Sequence, residues 1–195
     1  MVKIIGRERA PLSLRRALSI IPLHGLVLSI LMAPTLAPGQ QASKMELKTS
    51  SFEPSGFIPK RFTCEGENVA PEVEWRNPPA GTQSYAIIED DPDAPSGTFV
   101  HWVVYNVPAK YTRISEGMLK NDAMTPGIRQ GTNDFSSIGY SGPCPPPGKA
   151  HRYFIRLYAL DTTTSLHPAA TREELDAAMQ GHILARAELM GRFKR

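Results

Sequence analysis

The stretch that decides the fold runs from residue 84 to residue 107: Ser84-Tyr85-Ala86-Ile87-Ile88-Glu89-Asp90-Asp91-Pro92-Asp93-Ala94-Pro95-Ser96-Gly97-Thr98-Phe99-Val100-His101-Trp102-Val103-Val104-Tyr105-Asn106-Val107. Both ends are rich in β-branched and aromatic residues, and the middle is punctuated by Pro and Gly. This predicts strands over Ser84–Asp90 and Val100–Val107 joined by a loop of about ten residues. Such a hairpin returns the chain to the same end of the sheet, so Asp91, Asp93 and His101 gather at one rim. Val100–Val107 is apolar on both faces, which places it in the middle of a sheet covered on both sides.

Outward from the hairpin, short runs at Glu46–Thr49, Glu72–Trp75 and Arg152–Leu160 read as further strands, so the domain is mainly β, a sandwich or a barrel. Near the C-terminus, Thr171-Arg172-Glu173-Glu174 fits a capping box that opens a helix. Leu175, Met179, Ile183 and Ala187 follow at intervals of four, and Gly191 can close it, so one amphipathic helix is expected to pack on the β domain. There is no internal repeat, and no linker divides residues 43–195.

The chain has 195 residues, with 18 Pro and 15 Gly, 41% hydrophobic and 21% charged. These values exclude collagen, coiled coil and strong disorder, and fit one loop-rich globular domain plus additional chain. The net charge of +3 is uneven. Residues 1–42 carry Lys3, Arg7, Arg9, Arg15 and Arg16 against Glu8, leaving 17 basic and 18 acidic residues beyond them. The basic stretch followed by an apolar run from Ala17 to Ala37 reads as an export leader, with cleavage near Ala37 or Ala42 and a folded domain from about Ser43. That predicts a periplasmic or secreted domain. An uncleaved N-terminal anchor is the alternative, as is a misassigned start; Pro22, His24 and Pro34 weaken a stable span. The leader has no Cys for acylation, and Arg15-Arg16 is weak evidence for a twin-arginine signal. Without the leader the domain is near neutral, which argues against a nucleic-acid partner and limits any membrane contact to the leader.

A second segment, Gly139-Tyr140-Ser141-Gly142-Pro143-Cys144-Pro145-Pro146-Pro147-Gly148, is followed by Lys149-Ala150-His151-Arg152-Tyr153. Three consecutive prolines make a rigid wall and cannot form a central strand. Alternation along the next strand puts His151 and Tyr153 on one face and Arg152 on the other.

With the Asp91-Pro92-Asp93-Ala94-Pro95 loop, His101-Trp102 and His151-Arg152-Tyr153 in this order, the chain resembles the phosphatidylethanolamine-binding protein family, also called Raf kinase inhibitor-like proteins, and its bacterial branch in particular. The resemblance runs from about Lys44 to Arg195 and takes in Thr63-Cys64-Glu65-Gly66 and Gly181-His182. It implies an antiparallel β-sandwich with a small pocket for phosphate-type anions or phospholipid head groups. Carried over residue by residue, the pocket is lined by Asp91, His101, His151 and Tyr153, with Pro95, Gly142 and Pro143 shaping its mouth. No metal, cofactor or catalytic residue is expected.

The residue types suit that task. Imidazole and phenol groups offer donors to phosphate oxygens. Asp91 repels an anion, so it either orients a His, accepts from a protonated oxygen, or pairs with an ammonium such as that of ethanolamine. Asp93 reads mainly as a turn former. Trp102 and Tyr140 read as packing residues, and Arg152 and Arg156 as a solvated face or ion pairs. Cys64 and Cys144 form either a bridge that braces the pocket wall or two buried thiols. Two other function classes stand beside head-group binding. One is a hydrolase or other enzyme using the Asp/His/His/Tyr group, for which no familiar nucleophile, zinc, Walker or dinucleotide motif is present. The other is an inhibitor that binds a kinase or protease. A monomer or weak dimer is expected.

Overall fold

The computed structural model describes residues 44–117 and 126–195. The expected leader over 1–42 lies outside the described residues. The chain forms β1 (Glu46–Lys48), β2 (Val73–Arg76), β3 (Ser84–Asp91), β4 (Phe99–Pro108), β5 (Arg113–Ile114), β6 (Arg129–Gln130), β7 (His151–Leu160), α1 (Arg172–Met179) and β8 (Ile183–Phe193). All strand pairs are antiparallel: a three-stranded sheet in the order β1-β2-β5 and a five-stranded sheet in the order β6-β4-β3-β7-β8.

The β3–β4 hairpin forms the centre of the larger sheet, and every residue of β3 is buried. Two apolar layers cover it. On one face Tyr85, Ile87, Trp102, Val104, Ile155 and Leu157 meet the smaller sheet through Leu47, Val73 and Trp75. On the other, Ala86, Ile88, Val103, Tyr105, Tyr158 and Leu160 pack with Leu175 and Met179 of α1. Burial on both faces explains why these strands read as near-continuous apolar runs.

The capping box forms as expected: the Glu174 N–H donates to Thr171 Oγ1 at 3.3 Å and the Thr171 N–H donates to Glu174 Oε2 at 2.8 Å. The helix nevertheless ends at Met179, and the residues assigned to its second half form β8. A spacing of four keeps Ile183 and Ala187 on one face of a helix, but it also keeps them on one face of a strand. The period-two pattern decides: Ala187, Leu189 and Phe193 are buried while Arg186, Glu188 and Arg192 alternate with them. Gly181, at φ 83°, turns the chain between the two elements instead of lying inside a helix.

Cys64 and Cys144 form a disulfide across 80 residues of sequence. A loop of that length predicts that Cys64→Ala/Cys144→Ala loses about 4 kcal/mol of stability in the chain-entropy limit. Chemical unfolding of the oxidised domain and the double variant checks this, as does a 2 Da mass increase on reduction without alkylation; equal midpoints and equal masses contradict it.

Candidate functional site

The site forms where β3 ends, β4 begins and β7 begins. Asp91 is the last residue of β3 and His151 the first of β7, and β3 and β7 are directly paired. His151 Nδ1 donates to Asp91 Oδ2 at 2.8 Å, with both side chains nearly enclosed. The other Asp91 oxygen, Oδ1, accepts the Asp93 N–H at 2.8 Å and so shapes the Pro-punctuated loop. Asp93 does more than form a turn. Its carboxylate takes Arg152 Nη2 at 2.6 Å, Nε at 2.9 Å and the Arg152 N–H at 2.9 Å, so the β3–β4 loop is pinned to β7. The guanidinium pulls the Asp93 carboxyl down to about 2, keeping it ionised.

His101 reaches the site through a bulge. Glu89 pairs with Trp102 and Asp90 with Val100, leaving His101 as the extra residue on β4. Bulges of this kind re-aim one side chain out of the ladder's alternation. His101 Nδ1 donates to the Ser141 carbonyl at 2.6 Å, and the Ser141 N–H donates to the His101 carbonyl at 3.1 Å. Burial lowers the His101 pKa, against the opposing pull of the Ser141 carbonyl and Asp91. The ring is therefore neutral at neutral pH, and its remaining nitrogen, Nε2, is an acceptor.

These groups open on a cavity of about 280 Å³ lined by Asp91, His101 and His151 and by the apolar surfaces of Ala94, Pro95, Phe99, Phe135, Pro145 and Pro146, with Ser96 and Cys144 also at the wall. Neither Lys nor Arg is among the lining residues. A larger groove of about 570 Å³ lies between β1 and β8, away from this cluster. Four of its charged side chains are paired with one another, Lys48 with Glu46 at 3.0 Å and Arg186 with Glu188 at 2.7 Å, so it offers less convergent chemistry.

Three of the expected pocket residues stand behind the wall. Tyr153 is 1% exposed and packs edge-on against His101, with ring centroids 5.3 Å apart, so it supports that ring. Gly142 and Pro143 are buried, and the cavity is lined by the next residues instead. The reason is close packing: the Gly142 N–H donates to Asn68 Oδ1 at 2.8 Å, and a Cβ on Gly142 would sit 2.1 Å from the Phe62 carbonyl oxygen. The Pro143 carbonyl accepts the Cys64 N–H at 3.2 Å beside the disulfide. Trp102 and Tyr140 are packing residues: their rings meet at 5.6 Å, Trp102 Nε1 donates to Gln130 Oε1 at 3.0 Å, and Tyr140 donates to the Phe62 carbonyl at 2.7 Å. Arg156 pairs with Asp90 and with Glu188.

Residues not singled out in the sequence complete the site. Asn133 is 3% exposed and organises the loop after β6. It donates to the Gly139 carbonyl at 2.9 Å and Ser141 Oγ at 3.0 Å, and accepts from the N–H groups of Phe135 and Ser137. That loop places Phe135 against Phe99 with centroids 4.7 Å apart, forming the aromatic side of the cavity. Beneath the site, Glu89 is 1% exposed on β3, two residues before Asp91 and on the same face. Burial, reinforced by the Asp90 charge, raises its pKa to about 8.

These observations define a class: an antiparallel sandwich of two sheets with a small pocket at one end of the larger sheet, built from a carboxylate–imidazole pair, a neutral imidazole and two phenyl rings. Residues 48–194 match the profile of the family described as phosphatidylethanolamine-binding protein. The chain is 47% identical over 151 residues to a UPF0098 protein of Methanothermobacter thermautotrophicus, covering 77% of this chain and 99% of that one. It is 44% identical over 181 residues to a UPF0098 protein of Pyrococcus horikoshii, covering 91% and 90% respectively. Among solved structures, a putative phosphatidylethanolamine-binding protein homolog, CT736 of Chlamydia trachomatis, superposes with a TM-score of 0.71 at 36% identity, covering 78% of this chain and 98% of that one. YbcL of E. coli, described as a member of the mammalian PEBP family, superposes with a TM-score of 0.74 at 28% identity, covering 78% and 99%. The chain belongs to the phosphatidylethanolamine-binding protein family.

Glu89 supplies a pH-dependent prediction. Its folded pKa of about 8 lies above the ordinary 4.5, so the native state keeps a proton that the unfolded chain releases. Stability is therefore highest below the unfolded value and falls as pH rises towards 8, by up to about 1.4 kcal/mol per pH unit. In Glu89→Gln this loss disappears. Denaturant titrations at pH 5 and pH 8 should show the variant gaining on the wild type as pH rises; a constant difference contradicts a buried, protonated Glu89.

Proposed function

We propose that this domain is a binding protein that holds a phosphate-containing head group of the ethanolamine type without breaking it. The observation that carries the reading is the Asp91–His151 pair in a cavity whose remaining wall is mainly apolar. A ligand of phosphate alone would meet the Asp91 carboxylate with neither Lys nor Arg lining the same cavity. A zwitterion eases that conflict, because its ammonium complements the Asp91 carboxylate and the acceptor nitrogen of the neutral His101 ring.

Two further observations favour binding over turnover. Ser141 Oγ accepts from Asn133, its carbonyl accepts from His101, and Ser141 is not among the residues lining the cavity. Cys144 is tied in the disulfide. Such a bridge suits an oxidising compartment and thus an exported domain.

Calorimetric titration should show phosphoethanolamine binding more tightly than acetate, and His101→Ala should weaken it by about tenfold, as expected for one lost buried contact. Equal binding by wild type and variant removes His101 from the site. Incubation with phosphoesters, lipids and peptides should return them unchanged; turnover abolished by His151→Ala would establish an enzyme instead.

A further inference from the structure

The cavity wall contains one bond that chemistry can reverse. Cys144 is among the lining residues, together with Pro145 and Pro146, and its disulfide partner Cys64 lies on an exposed turn after Phe62. Beside the bridge, three hydrogen bonds join the same two segments. The Tyr140 hydroxyl donates to the Phe62 carbonyl at 2.7 Å, the Gly142 N–H to Asn68 Oδ1 at 2.8 Å and the Cys64 N–H to the Pro143 carbonyl at 3.2 Å. All three stand on residues 140–143, upstream of Cys144, and the prolines at 145–147 have no N–H to add to them. From there the chain runs through the exposed residues 146–150 to His151, where pairing with β8 holds it again. The lining run 144–146 is therefore anchored by the bridge on one side and by β7 on the other, and the bridge is the anchor that a reductant can open.

We infer that the Cys64–Cys144 bridge is a thiol-exchange site that sets the affinity of the cavity: closed, it holds the wall for a ligand, and opened, it lets the wall loosen while the domain stays folded. The inference rests on the head-group reading above and goes beyond it by giving that site a redox control. The reactant is a dithiol. One of its thiolates attacks the Cys64 sulfur on the exposed turn, the bond between the two protein sulfurs breaks, and Cys144 leaves as a thiolate that takes up a proton. The second thiol of the reductant then displaces Cys64 from the mixed disulfide, so the protein gains two electrons and two protons while the dithiol becomes a cyclic disulfide. The fold survives because the three hydrogen bonds and the core between the sheets do not pass through the bridge. Affinity falls because a wall that moves in the free protein must be ordered again when a ligand enters. Linkage makes the effect reciprocal: a ligand that prefers the closed bridge makes it harder to reduce by the same factor.

The test has two arms, both on the intact domain. Calorimetric titration with phosphoethanolamine, and with inorganic phosphate as a second probe, compares the oxidised domain, the domain reduced with dithiothreitol, and Cys64→Ala/Cys144→Ala. Reduction and the double variant should each weaken phosphoethanolamine by about tenfold, the cost of re-ordering one or two wall residues, and reductant should leave the double variant unchanged. In the second arm the bridge is titrated against ratios of oxidised to reduced dithiothreitol, with and without phosphoethanolamine at concentrations that saturate both states. A tenfold preference moves the midpoint by about 30 mV to more reducing potential. Native circular dichroism of the reduced domain at the titration temperature shows that the wall has changed and the fold has not. Its loss overturns the inference, because the bridge then holds the fold itself. Equal affinity of the oxidised and reduced domains, or a midpoint that the ligand does not move, also overturns it and leaves the head-group reading standing. If the oxidised domain binds neither probe, the head-group reading fails and this inference with it.

Discussion

One carboxylate, Asp91, ties together three separate pieces of chain. Its Oδ2 accepts from His151 at the start of β7, its Oδ1 shapes the turn into the β3–β4 loop, and its strand position is set by the central pairing of β3. The neighbouring Asp93–Arg152 pair repeats the link from loop to strand with three hydrogen bonds. A nearly enclosed carboxylate is costly to leave unpaired, so the imidazole and the loop N–H are required to hold it. The cavity beside it inherits its rigidity from this arrangement.

The opposite wall depends on covalent and steric constraints. The prolines of 143–147, the Cys64–Cys144 bridge and the close approach of Gly142 to Phe62 leave the wall few alternative conformations. Asn133 does the same for the loop that carries Phe135. Preorganised walls of this kind spare a small ligand the cost of ordering its site.

Much of the fold was legible in sequence because the central strands are buried on both faces, and their apolar runs stop at Pro, Gly and Asp. The hairpin between β3 and β4 is predicted to within a residue or two by that punctuation. β8 reads as helix in sequence because Leu175, Met179, Ile183 and Ala187 satisfy helical and strand alternation alike, and only Gly181 and the alternating charges of Arg186 and Glu188 separate them. In the site, Asp91, His101 and His151 follow from the hairpin and the alternation of β7. Sequence does not place Phe135 and Asn133 because they arrive from a loop remote in sequence, and Gly142, Pro143 and Tyr153 belong to the wall's interior. The second layer of chemistry, with Glu89 beneath Asp91, depends on which faces enclose which groups, and sequence alone does not carry that.

The most direct measurement is a crystal structure of the domain with bound phosphoethanolamine. We expect the head group seated in the cavity lined by Asp91, His101, His151, Phe99 and Phe135. A ligand bound elsewhere on the domain, with this cavity left unoccupied at saturating concentration, would contradict the account.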